Sequence, residues 1–213
     1  YDSWFIPLER LPKPQKKPER NSVMLSQSGA FMITRLSQNP WLDPRYMLAV
    51  GNHTDLTHGD MLSYFAALPG IETLGIYIEG FKDLDGLAFA KAVRKAVLNG
   101  KQIVVYKSGR TAPGQGGVMG HTASIAGGLT LFESVVRHAG AIVAEDFNSF
   151  DDLFYIAGVL QGKKIGGRRI GAISGAGFEA VGMADNIESD SFALEMGALE
   201  EAYDFSKAHE VKA

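Results

Sequence analysis

Short apolar runs alternate along the chain with longer segments in which apolar residues recur at helical spacing. The runs are Val23 to Leu25, Tyr46 to Val50, Leu74 to Ile78, Ile103 to Tyr106 and Ala141 to Val143. Each has the length and β-branched or aromatic content of a buried strand and reads as an interior strand. Between them, Met61, Leu62, Phe65, Ala66 and Leu68 form one amphipathic set, and Leu87, Phe89, Ala90, Val93 and Val97 form another that stops at Asn99-Gly100. Apolar positions three and four apart with a terminal glycine are the mark of a helix with a left-handed C-terminal stop.

Strands separated by single helices need crossover connections, so the order βαβα predicts a parallel sheet covered on both faces. Five strands predict an α/β fold, a flavodoxin-like doubly wound parallel sheet. A helix from about Ser149 to Gln161 ends at Gly162, and the basic, glycine-rich stretch Lys163 to Arg169 precedes a further strand, Arg169 to Ile173. The expected organisation is therefore a Pro/Lys-rich linker over 1–20 (Pro7, Pro12, Pro14, Pro18), a flavodoxin-like domain over 21–162, and the beginning of a second α/β domain over 163–213, with a helix-prone tail from Glu188.

Composition narrows the function classes. The 21 basic and 24 acidic side chains give a net charge of -3, without the basic footprint of a nucleic-acid binder. There is no cysteine, which removes thiol nucleophiles and thiolate metal sites and suits a reducing compartment, so the expectation is a cytoplasmic protein with no metal site. No apolar run reaches the roughly 20 residues that cross a bilayer. The chain opens on Tyr1 at a length of 213 residues, about one and a half domains, and is expected to be a piece of something longer.

The 25 glycines concentrate in the turns that follow strands, where open α/β sheets bind ligands. In Ser26-Gln27-Ser28-Gly29-Ala30-Phe31 small residues open a helix whose first amides attract an anion, or else Ser26 or Ser28 is a plain N-cap. Lys107 to Ser124 reads as a connection too long for an ordinary strand-to-helix loop. It lacks the spacing of a phosphate-binding Gly-x4-Gly-Lys loop and has Met119 where a dinucleotide fingerprint needs glycine. It does hold His121 among glycines, whereas His53, His58, His138 and His209 are expected on the surface or on helix faces. Lys107 and Arg110 would either add positive charge beside a phosphate or stay solvated. In the third turn, Ser174-Gly175-Ala176-Gly177, the pattern Gly-x-Gly-x-x-Ala allows a nicotinamide site, with Glu195 as the only candidate acid. A simple anion-binding helix start asks less of the sequence.

Taken in order, Ser26 to Phe31, Gly51-Asn52, Tyr77-Ile78-Glu79-Gly80, Lys107-Ser108-Gly109-Arg110, Met119-Gly120-His121 and Gly175-Ala176-Gly177 resemble the NDP-forming acyl-CoA synthetases, the superfamily of succinyl-CoA synthetase. The resemblance implies that His121 relays a phosphoryl group between an acyl phosphate and a nucleoside diphosphate, with Glu79 orienting its imidazole. It implies phosphate binding by Gln27, Ser28, Gly29 and Gly120, and by Gly175, Ala176 and Gly177 at a second helix start. Many family members have Asn-x-Gly-Gly where this chain has Ser-Gly-Ala-Gly, and Thr122-Ala123-Ser124 replaces a common Thr-Gly-Ser. CoA, phosphate and ATP or ADP with Mg are the implied substrates of the full enzyme, with no permanently bound cofactor. The implied partners are a CoA-binding Rossmann domain and an ATP-grasp domain or subunit, and further copies of the chain. A fragment of this kind is expected to take a phosphoryl group without completing a synthetase cycle alone. The competing expectation is a non-catalytic module that keeps the fold and binds only an anion or a partner.

Overall fold

The structure, a computed structural model, describes residues 20–82, 84–122, 128–164, 166–167, 169–170, 174, 176–186 and 193–194. The linker read over 1–20 and the tail beyond 194 lie almost wholly outside these residues, as do Gly175 and Glu195. The chain divides into two compact units, Tyr1–Gly162 and Lys163–Ala213.

The first unit contains strands β1 (Ser22–Ser26), β2 (Tyr46–Ala49), β3 (Thr73–Ile78), β4 (Gln102–Lys107) and β5 (Ile142–Val143). They form one parallel sheet in the order β2-β1-β3-β4-β5, the flavodoxin-like arrangement. Its helices are α1 (Gly29–Gln38), α2 (His58–Ala67), α3 (Asp85–Leu98), α4 (Ala112–Thr122), α5 (Leu129–Ala139) and α6 (Phe147–Leu160).

Alternation along the strands builds two cores. Val23, Leu25, Leu74, Ile76, Ile103 and Val105 meet α2, α3 and α5 on one face. Met24, Tyr77, Val104 and Tyr106 meet α1 and α6 on the other. β1 and β3 are buried throughout, and β4 is buried beyond Gln102. β2 and β5, both expected as interior strands, are the two edge strands, and β2 has both ends exposed because the chain crosses from β2 over β1 to reach β3.

A larger correction concerns the connection after β4. The stretch read as one long loop contains the helix α4, over Ala112–Thr122. The Thr111 hydroxyl accepts the Gly114 amide at 3.2 Å, and Pro113 occupies the first turn, where its missing N–H costs nothing. Periodicity gave no sign of this helix, because Gly114, Gly116, Gly117 and Gly120 interrupt any apolar stripe.

The second unit holds β6 (Arg169–Ile170), α7 (Gly177–Asn186) and β7 (Ala193–Leu194), with β6 and β7 paired in parallel. The short β7 falls within the segment expected to be helix-prone. Its pairing with β6 supplies the hydrogen bonds that local propensity did not anticipate.

Candidate functional site

The order in which strands are added to the sheet reverses between β1 and β3. From β1 the chain turns into α1 on one face, and from β3 it turns toward α3 on the other, leaving a crevice at the carboxyl ends of these two strands. Three of the residues singled out in the sequence, Gln27, Ser28 and Glu79, gather there.

Gln27 bridges the two strand ends. Its backbone N–H donates to the Tyr77 carbonyl at 3.1 Å, and its side-chain Oε1 accepts from the amides of Glu79 (2.7 Å) and Gly80 (3.1 Å). Gln27 is buried, so this one carbonyl satisfies two amides that would otherwise be desolvated without partners. Through Oε1 it holds the turn after β3. Ser28 is the N-cap of α1, its Oγ accepting from the Phe31 amide at 3.2 Å. The plain-cap reading of this serine is therefore realised. The cap takes the third amide of the helix, and the first two, from Gly29 and Ala30, lie at the positive end of the helix dipole outside the intrahelical ladder.

Glu79 follows β3 and is only 7% exposed. Tyr77, two residues earlier on the same side of the strand, donates its phenolic O–H to Glu79 Oε1 at 3.2 Å. The Tyr77 ring stacks on Phe31 of α1 at a centroid distance of 4.0 Å, and Tyr106 lies parallel to it at 6.0 Å. Burial pushes the Tyr77 hydroxyl up to about 12. A hydrogen bond with the Ser108 side chain pulls the other way, and the charge of Glu79 adds to the rise. At neutral pH Tyr77 is therefore a fixed donor to the carboxylate.

Lys107, the last residue of β4, is 2% exposed. Its ammonium donates to the carbonyls of Glu79 (3.0 Å) and Ser108 (3.2 Å), tying the ends of β3 and β4 together. Burial lowers its pKa, while the Glu79 carboxylate favours the charged form. It is not the solvated loop residue that was one of the two expectations, but a buried residue at the end of β4. Arg110 pairs with Glu133 of α5 at 2.7 Å, anchoring the entry to α4.

Gly120 and His121 fall in the last turn of α4. The His121 side chain lies outside the described residues.

The second unit repeats the turn geometry of the first. Ser26 Oγ donates to the Ser28 carbonyl (2.6 Å) and accepts from the Ser28 amide (3.1 Å). Ser174 Oγ does the same with the carbonyl and amide of Ala176, both at 3.1 Å. Each turn delivers a glycine, Gly29 or Gly177, as the first residue of a helix. Ala176 stands where Ser28 caps the first helix and has no side chain to do so. Ser174 Oγ also lies 2.5 Å from Glu179 Oε2, so its single proton goes either to that carboxylate or to the Ala176 carbonyl.

Of the histidines expected on the surface or on helix faces, His58 lies on the buried face of α2 and His53 is buried in the turn before it. His53 Nε2 and His58 Nδ1 lie 2.6 Å apart, and the rings meet edge to face. Burial lowers both pKa values, that of His58 to about 3 with the charge of His53 contributing. His58 shares a helix face with Leu62 and Phe65, at i+4 and i+7, a spacing from which its burial was legible. His53 has φ 54°, in a turn that sequence pattern alone does not reveal.

Among the described residues no group of three His, Cys, Asp or Glu side chains could hold a metal, and no helix is long and apolar enough to cross a membrane.

A doubly wound sheet with a buried carboxylate and a capped helix start at its reversal point defines an α/β domain of the flavodoxin-like class. Residues 19–160 match the family described as the succinyl-CoA ligase like flavodoxin domain, and the chain belongs to it. It is 33% identical over 171 residues to the ADP-forming acetate-CoA ligase of Methanocaldococcus jannaschii, covering 79% of this chain and 23% of the relative. It is 30% identical over 183 residues to the alpha subunit of ADP-forming acetate-CoA ligase II of Pyrococcus furiosus, covering 85% of this chain and 38% of that one. The chain thus spans well under half the length of these relatives. Among solved structures it is similar to acetyl-coenzyme A synthetase 1 of Ca. Korarchaeum cryptofilum in complex with phosphate and ADP. The TM-score is 0.61 at 29% identity, over 68% of this chain and 32% of the other.

Proposed function

We propose that the chain is the phosphoryl-relay part of an ADP-forming acyl-CoA synthetase, with His121 as the residue that carries the phosphoryl group. The reading rests on one observation: the carboxylate of Glu79 is fixed by Tyr77, and its backbone by Gln27, the neighbour of the residue that caps α1. Membership of the ligase family and likeness to ADP-forming acetate-CoA ligases support it.

In this scheme a neutral imidazole nitrogen of His121 attacks the phosphorus of an acyl phosphate. The N–P bond forms, the P–O bond to the acyl group breaks, and the carboxylate leaves. Glu79 accepts a hydrogen bond from the other ring nitrogen and stabilises the imidazolium that develops. The α1 amides of Gly29 and Ala30 receive the phosphoryl oxygens, and the helix start at Ala176 and Gly177, with Gly175 before it, is the second station. A nucleoside diphosphate then takes the phosphoryl group, freeing the imidazole. CoA, phosphate and the nucleotide are substrates of the whole enzyme, whose CoA-binding and nucleotide-binding parts are the partners of this domain.

Glycines make the transfer between stations affordable, since each costs a helix interior about 1 kcal/mol relative to alanine and α4 has four of them. The test is the domain-complete protein carrying His121→Asn. Loss of acyl-CoA formation from nucleoside triphosphate supports the relay, and an unchanged rate refutes it.

A further inference from the structure

A cavity lies at the opposite edge of the sheet from Glu79, where the amino end of β1, the 3-10 turn Pro40–Leu42 and the C-terminal half of α6 meet. Its volume of about 250 Å³ falls just below the roughly 300–1,000 Å³ of pockets for drug-sized ligands, so it suits a compact molecule. Leu42, Phe154 and Val159 give it an apolar wall. Of the residues lining it only two are charged, and they are opposite in sign: Arg20 and Asp43.

The pairing of these two is loose. Arg20 Nη1 lies 3.5 Å from Asp43 Oδ1, beyond the roughly 2.7–2.9 Å of a tight charge-assisted bond. The Asp43 side chain is only 8% exposed, yet its Oδ2 has no hydrogen-bond partner among the described residues. Its backbone is held at φ 27°, in the left-handed region that residues other than glycine seldom adopt. The side-chain amide of Asn21, also in the lining, is already engaged, donating to Glu72 Oε2 and to the Gly158 carbonyl, each at 3.2 Å. A ligand with a positive charge alone would satisfy Asp43 and be repelled by Arg20, and one with a negative charge alone would meet the reverse. A ligand that carries both charges close together satisfies both. An α-amino acid bears its ammonium and carboxylate on one carbon, which matches two protein charges 3.5 Å apart.

We infer that this cavity binds a free α-amino acid with an apolar side chain, the ammonium on Asp43, the carboxylate on Arg20 and the side chain against Leu42, Phe154 and Val159. The Arg20 side chain is 34% exposed, so its guanidinium can turn from Asp43 to the incoming carboxylate while the buried Asp43 stays in place. The site is separate from the phosphoryl relay and does not depend on it.

The experiment is calorimetric titration of the 213-residue chain with leucine and three molecules that each lack one of its features: 4-methylpentanoate without the ammonium, 3-methylbutylamine without the carboxylate, and glycine without the side chain. Leucine should saturate a single site. It should bind at least about tenfold more tightly than the acid or the amine, since each of these forgoes a charge-assisted bond and leaves a protein charge unmatched. Glycine should also bind at least about tenfold more weakly, because it buries no hydrocarbon. Asp43→Asn, which keeps the size of the side chain, and Arg20→Gln, at a partly exposed position, should each weaken leucine about tenfold. The ligand series on the unmodified chain decides even where a variant does not fold. Absence of saturable leucine binding overturns the inference. So does equal affinity for leucine and either singly charged analogue, or a folded Arg20→Gln chain that binds leucine as the unmodified chain does.

Discussion

The side-chain carbonyl of Gln27 accepts the backbone N–H of Glu79 at 2.7 Å, so the residue after β1 holds the residue after β3 in place. Because Gln27 also takes the Gly80 amide, its removal leaves two amides without this partner in a buried setting. Gln27→Ala should lower unfolding stability by about 1–3 kcal/mol. Urea denaturation should show it as a fall in midpoint with an unchanged slope. A midpoint like that of the wild type would mean that water replaces the glutamine and that Glu79 is positioned otherwise.

Gly75 marks where β3 passes closest to α6. A Cβ there would lie 2.6 Å from Cδ2 of Phe154, a ring of the core. Gly75→Ala is therefore expected to destabilise by about 1–3 kcal/mol through overpacking. Combining it with Phe154→Leu should recover part of that loss relative to the sum of the two single changes. Strict additivity of the two, measured in the same denaturation series, would exclude a direct clash.

The buried imidazoles make stability depend on pH. Burial depresses the folded-state pKa of His53 and His58 below the usual 6.5, that of His58 to about 3. Their contribution to stability is thus complete above pH 6.5 and is lost as the pH falls toward the folded values. Asp151 acts in the opposite sense. Burial raises its carboxyl to about 6 despite the Arg35 guanidinium at 3.0 Å, so the contribution it makes at low pH is lost as the pH rises through 6. His58→Phe should flatten the acid limb between pH 6.5 and 4, and Asp151→Asn should remove the opposing change near pH 6. Denaturation midpoints across this range would decide. An acid limb unaffected by His58→Phe would place the titrating groups elsewhere.

α4 is a helix whose sequence resists helicity. A Cβ added at Gly116 or Gly117 meets nothing within 4 Å, so neither glycine is there to admit a neighbour. Gly116→Ala and Gly117→Ala should each stabilise the helix by about 0.5–1 kcal/mol and slow amide hydrogen exchange across Ala112–Thr122. If α4 has to move to serve two stations, the double variant should also pass its phosphoryl group on more slowly. Faster exchange in these variants would contradict the assignment of strain-free helical glycines.

How much of this was legible in the sequence follows from which forces leave a periodic trace. The inner strands and α2, α3 and α6 were readable because burial selects residues two, three or four apart. The sheet order came from the rule for parallel crossovers rather than from any residue. α4 was missed because its start is set by Thr111 and Pro113 and its body by glycine, with no apolar stripe. Glu79 was found by its place at a strand end, but the hold that Gln27 and Tyr77 have on it depends on strand adjacency, which no local pattern encodes. The burial of Lys107 was illegible for a related reason: a lysine beside Ser-Gly looks solvated until the main-chain carbonyls of Glu79 and Ser108, after two adjacent strands, converge on it. His58 lay on a readable apolar face, whereas His53 reached it through a left-handed turn.

The central claim is that His121 accepts a phosphoryl group under the control of Glu79. Incubating the chain with acetyl phosphate and mapping the modified residue by mass spectrometry tests it directly. An acid-labile, base-stable phosphate on His121, absent from His121→Asn and formed about 100-fold or more slowly in Glu79→Gln, is the predicted result. A chain that gains no phosphate, gains it on another residue, or gains it at the same rate without the Glu79 carboxylate would contradict the account.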